Sequence, residues 1–370
     1  MDQKDILVSQ GTNYKKMTRE LLEASDLIGH IPDKNCTVGI KPNLVSPTEA
    51  SYGATTHTEV IAGIIEYLQM YGVSRIVLAE SSWVGAKTSE SIRVCGYDKL
   101  CRFYQVEFID TQKDSWKKKD CKGMELSVCS CVDQIDFLIN VPVWKGHCQT
   151  KITCALKNLK GLIPNKEKRR FHQLGLHRPI AHLAAGIHQD FIVIDHICGD
   201  LDFEDGGNPV VCNQILTARD PVLADAWVCQ QMGYRKEDVP YIGMAEKLGA
   251  GCGDWKQARV RKWQEGELSS YGVQEPSLLG PRKVVEVQDA VEEVDSCSAC
   301  YGYLIPVLNR MQEEGLLEKL DDKICIGQGY QGQSGGLGIG NCTSKFEKHL
   351  PGCPPMPDEI YEFLKEYLNV

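Results

Sequence analysis

Thr37-Val-Gly-Ile-Lys41-Pro-Asn43-Leu-Val45 decides the fold. Its first residues alternate β-branched and small side chains, a short strand ending at Lys41, and Pro42 has no amide with which to continue a ladder. Thr55-Thr-His57-Thr58 then opens an amphipathic helix through Val60, Ile64, Ile65 and Leu68, which Gly72 closes before the extended run Arg75-Ile-Val-Leu-Ala79. The order is strand, helix, strand. Working outward, the same order recurs. Upstream lie Ile6-Leu-Val-Ser9 and a helix over residues 16–28. Downstream come a helix over 88–102, strands over 106–109, 135–140 and 191–195, and a helix over 217–232 with Pro221 near its start and Gly233 at its stop. Such alternation implies an α/β class: a mainly parallel sheet with covering helices.

In sheets of this kind, polar groups just past the C-terminal strand ends converge on ligands. Lys41 and Asn43 follow one predicted strand, Glu80 and Ser81 a second, and Asn140, Lys145 and His147 a third. Lys157 and Asn158 precede a Gly161 and Pro164 break, and Arg170 and His172 follow it. These residues predict a crevice for a small anionic substrate. Lys145, His147 and Lys157 are its candidate catalytic groups, and Lys41, Asn43, Asn158, Arg170 and His172 its binding groups. Each residue taken singly is equally consistent with solvated loop polarity. Asp200, Asp202, Glu204 and Asp205 form an acidic run that either holds a hard cation or is a solvated turn.

Residues 1–248 read as an α/β substrate-binding domain. Residues 249–282 are rich in Gly, Trp and charge with weak periodicity, and read as a linker or irregular lobe. Residues 283–370 read as a small C-terminal α/β iron–sulfur unit: a strand over 283–287, a helix after Cys300, a strand over 323–327 and a terminal helix over 358–368. Here Cys297-Ser-Ala-Cys300 offers two thiols at a predicted helix N-terminus, where free amides favour anionic sulfur. Cys342 follows a glycine-rich run and Cys353 lies in Pro351-Gly-Cys-Pro-Pro. Four such thiols suit one [4Fe-4S] cluster. Zinc normally draws two close cysteine pairs, and only one is present here, so a zinc site and scattered reduced thiols stand as alternatives. Cys36, Cys154 and Cys229 sit in apolar patterns as buried small hydrophobes.

The chain has 370 residues, 42% of them hydrophobic and 25% charged, with a formal net charge of -9. This balance fits globular units and argues against a general nucleic-acid binder. The charged start Met1-Asp-Gln-Lys-Asp predicts no secretory leader, and no apolar run reaches the ~18 residues that span a bilayer. Seventeen cysteines in such a chain suit a reducing compartment, so the expectation is a cytoplasmic protein without disulfides. The glycine-rich run over 326–340 lacks the strand, helix entry and later acid of a dinucleotide site.

Several of these stretches together resemble the family catalogued as domain of unknown function 362. They are Lys41-Pro-Asn43, the Thr55-Thr56 helix entry, Asn140-Val-Pro-Val-Trp-Lys145-Gly-His147, Thr153 with Lys157-Asn158 and Gly161, Arg170 and His172, Asp195, and Gly206-Gly-Asn-Pro209. Several members of that family carry iron–sulfur centres. The Gly-Cys-Pro-Pro segment is similar to the cluster-binding segment of nickel–iron hydrogenase small subunits and their relative in respiratory complex I. These resemblances imply a cluster but no settled reaction. The expectation is an oxygen-sensitive iron–sulfur oxidoreductase served by an electron donor such as a ferredoxin or flavodoxin, and able to form a homo-oligomer. An electron-carrier or structural iron–sulfur protein, and a non-redox lyase or isomerase using the cluster as a Lewis acid, are the other readings.

Overall fold

A computed structural model describes residues 1–271 and 283–370. The chain divides into two compact units. The first holds residues 1–146, 150–201 and 205–279; the second holds 147–149, 202–204 and 280–370.

Among the described residues the first unit is built on a nine-stranded sheet. Its strands are β1 (Asp5–Gln10), β2 (Thr37–Lys41), β3 (Arg75–Glu80), β4 (Glu107–Asp110), β5 (Phe137–Asn140), β6 (Phe191–Asp200), β7 (Pro209–Ala218), β8 (Arg259–Gln264) and β9 (Glu267–Ser270). Their order across the sheet is β9-β8-β1-β7-β6-β5-β2-β3-β4. The run β6-β5-β2-β3-β4 is parallel throughout, so β2, β3 and β5 end on one edge, at Lys41, Glu80 and Asn140. β7 runs antiparallel to both β1 and β6. The predicted α/β architecture, mainly parallel with flanking helices, is the one observed.

Side chains of the two sheet faces enter separate cores. Val38, Ile40, Leu78 and Ile139 pack with Ile61, Ile64, Ile65 and Leu68 of the helix Thr58–Met70. Ile6, Val8, Ile192 and Ile194 pack on the other side with Leu156, Phe171, Ile180 and Trp227. These strands, buried on both faces, are what a central parallel sheet requires. The helix expected over 88–102 is two helices, Thr88–Val94 and Tyr97–Tyr104, broken where Gly96 takes a φ of 77°.

Two expectations for the later chain are corrected. Part of the predicted linker, 249–282, is sheet: β8 pairs in parallel with β1, and β9 pairs antiparallel with β8. Residues 272–282 of that stretch lie outside the described residues. The β-branched run over 283–287 is a helix, Lys283–Val287, not a strand, because Val284 and Val287 are buried in a helical core with Leu304 and Leu308.

The second unit carries four parallel strands, β10 (Val291–Glu293), β11 (Ile324–Ile326), β12 (Leu337–Ile339) and β13 (Lys348–Leu350), side by side in that order. The helix Ser298–Glu313 connects the first two, and its Leu304, Leu308 and Met311 are fully buried with Ile324, Ile339 and, from the helix Pro357–Tyr367, Ile360 and Leu364.

Candidate functional site

In the first unit the predicted strand-end residues meet in a buried polar network. Asn43 donates from Nδ2 to Asn158 Oδ1 at 2.9 Å, and Asn158 donates to Asn140 Oδ1 at 2.7 Å. Lys145 Nζ donates to the Ala54 carbonyl at 2.6 Å and to Asn43 Oδ1 at 3.4 Å. Thr56 locks the Asn43 loop, accepting from the Asn43 amide at 2.8 Å while donating to the Val141 carbonyl at 2.9 Å. Lys157 and Asn158 ride on the short helix Ala155–Asn158, whose first amides are capped by Asp225 at 2.7 Å and 3.3 Å. Burial raises the Asp225 carboxyl to about 7, against the pull of those amides. Asp220 caps its own helix at the Val222 and Leu223 amides.

Lys41 is fully buried and its ammonium is ion-paired with Glu80. Burial lowers the Lys41 pKa, which Glu80 offsets; burial likewise raises that of Glu80, which Lys41 and Lys168 offset. Lys168 donates to Ser81 Oγ at 2.6 Å and to the Ser82 carbonyl at 2.7 Å, and burial brings it down to about 8. Gly161 is required at this point, because a Cβ there would collide with the Glu80 carboxylate. A buried charge must be paired and hydrogen-bonded, and this group of Lys41, Glu80 and Lys168 meets that demand internally. Lys168 was not a sequence candidate; its place in a basic run, Lys166-Glu-Lys-Arg-Arg170, hides the one lysine that turns inward.

Lys41, Asn43, Lys145 and Asn158 are thus brought together, with Lys157 adjacent in chain. Arg170 is not among them, since it pairs with Glu167 at 2.6 Å and reaches the Glu125 carbonyl at 3.1 Å. His172 lies on the same helix, Asn165–Gln173. His147, which shares the short strand Lys145–His147 with Lys145, groups with the second unit, where Cys148 and Phe203 enter the core. Its Nδ1 accepts from the Gln149 amide at 3.1 Å, which places the ring proton on Nε2, 2.7 Å from Glu204.

In the second unit every candidate thiol follows the end of a parallel strand. Cys297 and Cys300 come after β10, Cys342 after β12 and Cys353 after β13. The loop after β11 brings Gln328, whose Nε2 donates to Cys297 Sγ at 3.3 Å, and Gln331, whose Nε2 donates to Cys342 Sγ at 3.7 Å. Backbone bonds tie these loops together. Gln328 and Gly329 donate to the carbonyls of Asp295 and Val294, and Asn341 donates to the Gly352 carbonyl at 2.9 Å. Gly327, at φ 127°, lies so close to Val294 that a Cβ would strike its carbonyl.

Burial pushes the Cys300 thiol up to about 12, and Cys297, Cys353 and Cys342 all push it the same way. Cys297, Cys342 and Cys353 thus lie within electrostatic range of Cys300, and side-chain amides donate to two of the four thiols, a kind of donor that suits an iron–sulfur cluster. Among the described residues no three His, Cys, Asp or Glu side chains stand close enough to grip a single metal ion. Neither the four thiols nor the acidic run 200–205 forms a closed cage among the described residues. Cys154 and Cys229 are buried and Cys36 is half-buried; all seventeen cysteines are free of disulfides.

Residues 38–230, more than half of the chain, match the model of the family described as domain of unknown function (DUF362). A thylakoid-associated protein of Synechocystis sp. is 25% identical over 154 residues, 42% of this chain and 47% of that protein, so the chain spans about half the length of this relative. The lactate racemase apoprotein from Thermoanaerobacterium thermosaccharolyticum superposes at 12% identity with a TM-score of 0.39, over 61% of this chain and 56% of that one. A protein from Thermotoga maritima does so at 12% identity with a TM-score of 0.34, over 50% and 51%. No described helix is long and apolar enough to cross a membrane.

Proposed function

The chain belongs to the DUF362 family, and on that footing we propose that it is an iron–sulfur oxidoreductase of the cytoplasm acting on a small anionic substrate. The observation that carries this reading is the gathering of Cys297, Cys342 and Cys353 about Cys300, each delivered from a parallel strand end. These four would hold a [4Fe-4S] cluster, which supplies one-electron chemistry when bound. Gln328 and Gln331 would donate to the bound sulfurs, which tunes a potential without changing the ligand count.

In the first unit, Lys145 and Lys157 offer positive charge, and Asn43, past a strand end, and Asn158, on the helix Ala155–Asn158 beside it, offer amides near the usual address of a ligand in open α/β sheets. Lys145 would orient an anionic group and Lys157 would offset its charge. Lys41 takes a supporting role, its charge being neutralised by Glu80. A small redox protein such as a ferredoxin or flavodoxin is the electron donor in this reading, and self-association is compatible with it.

Anaerobic purification tests the proposal. Wild-type protein should be brown, with a visible absorption that bleaches on reduction and an EPR signal that appears, and Cys300→Ser should be colourless. A panel of small carboxylates and phosphates should raise the melting temperature of the wild type but not of Lys145→Met. Colourless wild type removes the cluster, and equal shifts in both proteins remove the anion site. The second reading, an electron carrier, is favoured by one observation: Lys41, the first lysine of the strand-end set, is already neutralised from within. A cluster that forms normally in a protein no small anion stabilises would select it.

A further inference from the structure

Outside the network just described, the first unit holds a chain of three groups that the proposed function does not use. Asp195 Oδ2 accepts from His57 Nδ1 at 2.9 Å and from the His57 amide at 2.7 Å, and His57 Nε2 lies 3.8 Å from Cys198 Sγ. We propose that Cys198, His57 and Asp195 form a nucleophilic thiol centre that takes the acyl carbon of a small ester or thioester.

The local structure is arranged around these contacts. The β6–β7 register shifts between His196 and Cys198, a bulge that re-aims the strand. The Ile197 amide at that bulge is taken up by Asp195 Oδ1 at 3.1 Å. One carboxylate thus fixes the bulge that presents Cys198 and the ring that faces it. His57 stands at the N-cap of the helix Thr58–Met70, so its backbone is held as firmly as its ring. Asp195 is fully buried and Cys198 buried, while the His57 side chain keeps 12% of its surface in contact with solvent.

The titratable groups acting here are Asp195 and Cys198 on β6, Tyr14 on the helix Tyr14–Ala24, Glu59 beside His57 and Cys212 on β7. Burial would lower the His57 pKa, but Asp195 outweighs it and holds the ring charged to about 10. The ring is therefore a fixed cation and proton donor at neutral pH, not a base. In the step, solvent takes the Cys198 proton and the thiolate attacks the carbonyl carbon beside the imidazolium. The C–S bond forms, the bond from that carbon to the leaving oxygen or sulfur breaks, and the Nε2 proton passes to the leaving group. No oxidant or reductant is needed. Nucleophile, proton donor and orienting carboxylate match the general arrangement of covalent catalysis. The competing account is a thiol placed only to donate to the Ala50 carbonyl, 3.2 Å away.

The test treats the full chain with p-nitrophenyl acetate and reads the p-nitrophenol burst, with peptide mass spectrometry to locate the acetyl group. Acetylation is expected on Cys198, itself buried, ahead of the equally buried Cys129, Cys131 and Cys154, absent in Cys198→Ala, and slowed by at least about tenfold in His57→Gln. Asp195 is a positioning residue. In Asp195→Asn the burial penalty is no longer outweighed, so His57 should titrate below its ordinary value of about 6.5, giving the burst rate a pH step that the wild type lacks. Wild-type protein with no acetyl on Cys198, or an equal rate in folded His57→Gln, overturns the proposal. Should His57→Gln fail to fold, the wild-type site mapping and pH profile decide alone.

Discussion

The two polar clusters of this molecule solve opposite problems with similar topology. In the first unit, groups beyond parallel strand ends are deeply buried and answer one another: Lys41 with Glu80, Lys168 with Ser81 and Ser82, Asn43 with Asn158. In the second unit, groups beyond parallel strand ends are thiols, half-buried or exposed, which repel one another as they ionise. In the first cluster, the charges of Lys41, Glu80 and Lys168 are balanced within the protein. The second is stable as an anionic set only with a cation among its sulfurs. Strand-end geometry thus places polar groups in both, and side-chain chemistry decides whether they answer one another or, as proposed for the thiols, take an added group.

Replacing one polar side chain in each cluster should separate them most strongly. Glu80→Ala leaves Lys41 and Lys168 buried without their carboxylate and is expected to cost about 3–5 kcal/mol in urea unfolding. Cys300→Ser should leave the metal-free protein within about 1 kcal/mol of wild type. If the two variants were equally destabilised, the contrast would be void. A milder probe of the same packing is Gly161→Ala, whose methyl would press on the Glu80 carboxylate and should cost about 1–3 kcal/mol by the same assay.

A smaller, pH-dependent effect comes from His57. Its folded pKa, about 10, is above the ordinary 6.5, so the native state holds a proton the unfolded state releases. Its contribution is therefore fully present below about 6.5 and fades as pH rises toward 10. The stability difference between wild type and His57→Gln should be constant in acid and shrink through that window. Lys168 trends the other way, but it is common to both proteins and cancels. A difference that stays flat to pH 10 would contradict the Asp195–His57 pair.

Legibility in the sequence followed locality. Thr37–Lys41, the helix at Thr58 and the strand at Arg75 were readable because their apolar periods are local and their burial complete. β8 and β9 were not, because a charged, half-exposed edge pair such as Arg259–Gln264 shows no apolar alternation and is defined only by its partner β1. The run at 283–287 misled because β-branched residues favour strands only where a sheet accepts them. Lys41, Asn43, Lys145 and Asn158 could be picked out as polar residues after strands, whereas Lys168 and the Cys198 contact depend on chain separations no local pattern encodes. The grouping of His147 with residues 202–204, far along the chain, is likewise a tertiary fact.

The most direct measurement of the central claim is the iron and acid-labile sulfide content of anaerobically purified wild type beside Cys297→Ser, Cys300→Ser, Cys342→Ser and Cys353→Ser. A cube held by all four thiols predicts about four iron and four sulfide per wild-type chain, with a marked loss in every variant. Iron-free wild type, a single zinc ion, or full iron in any two of the variants would contradict it.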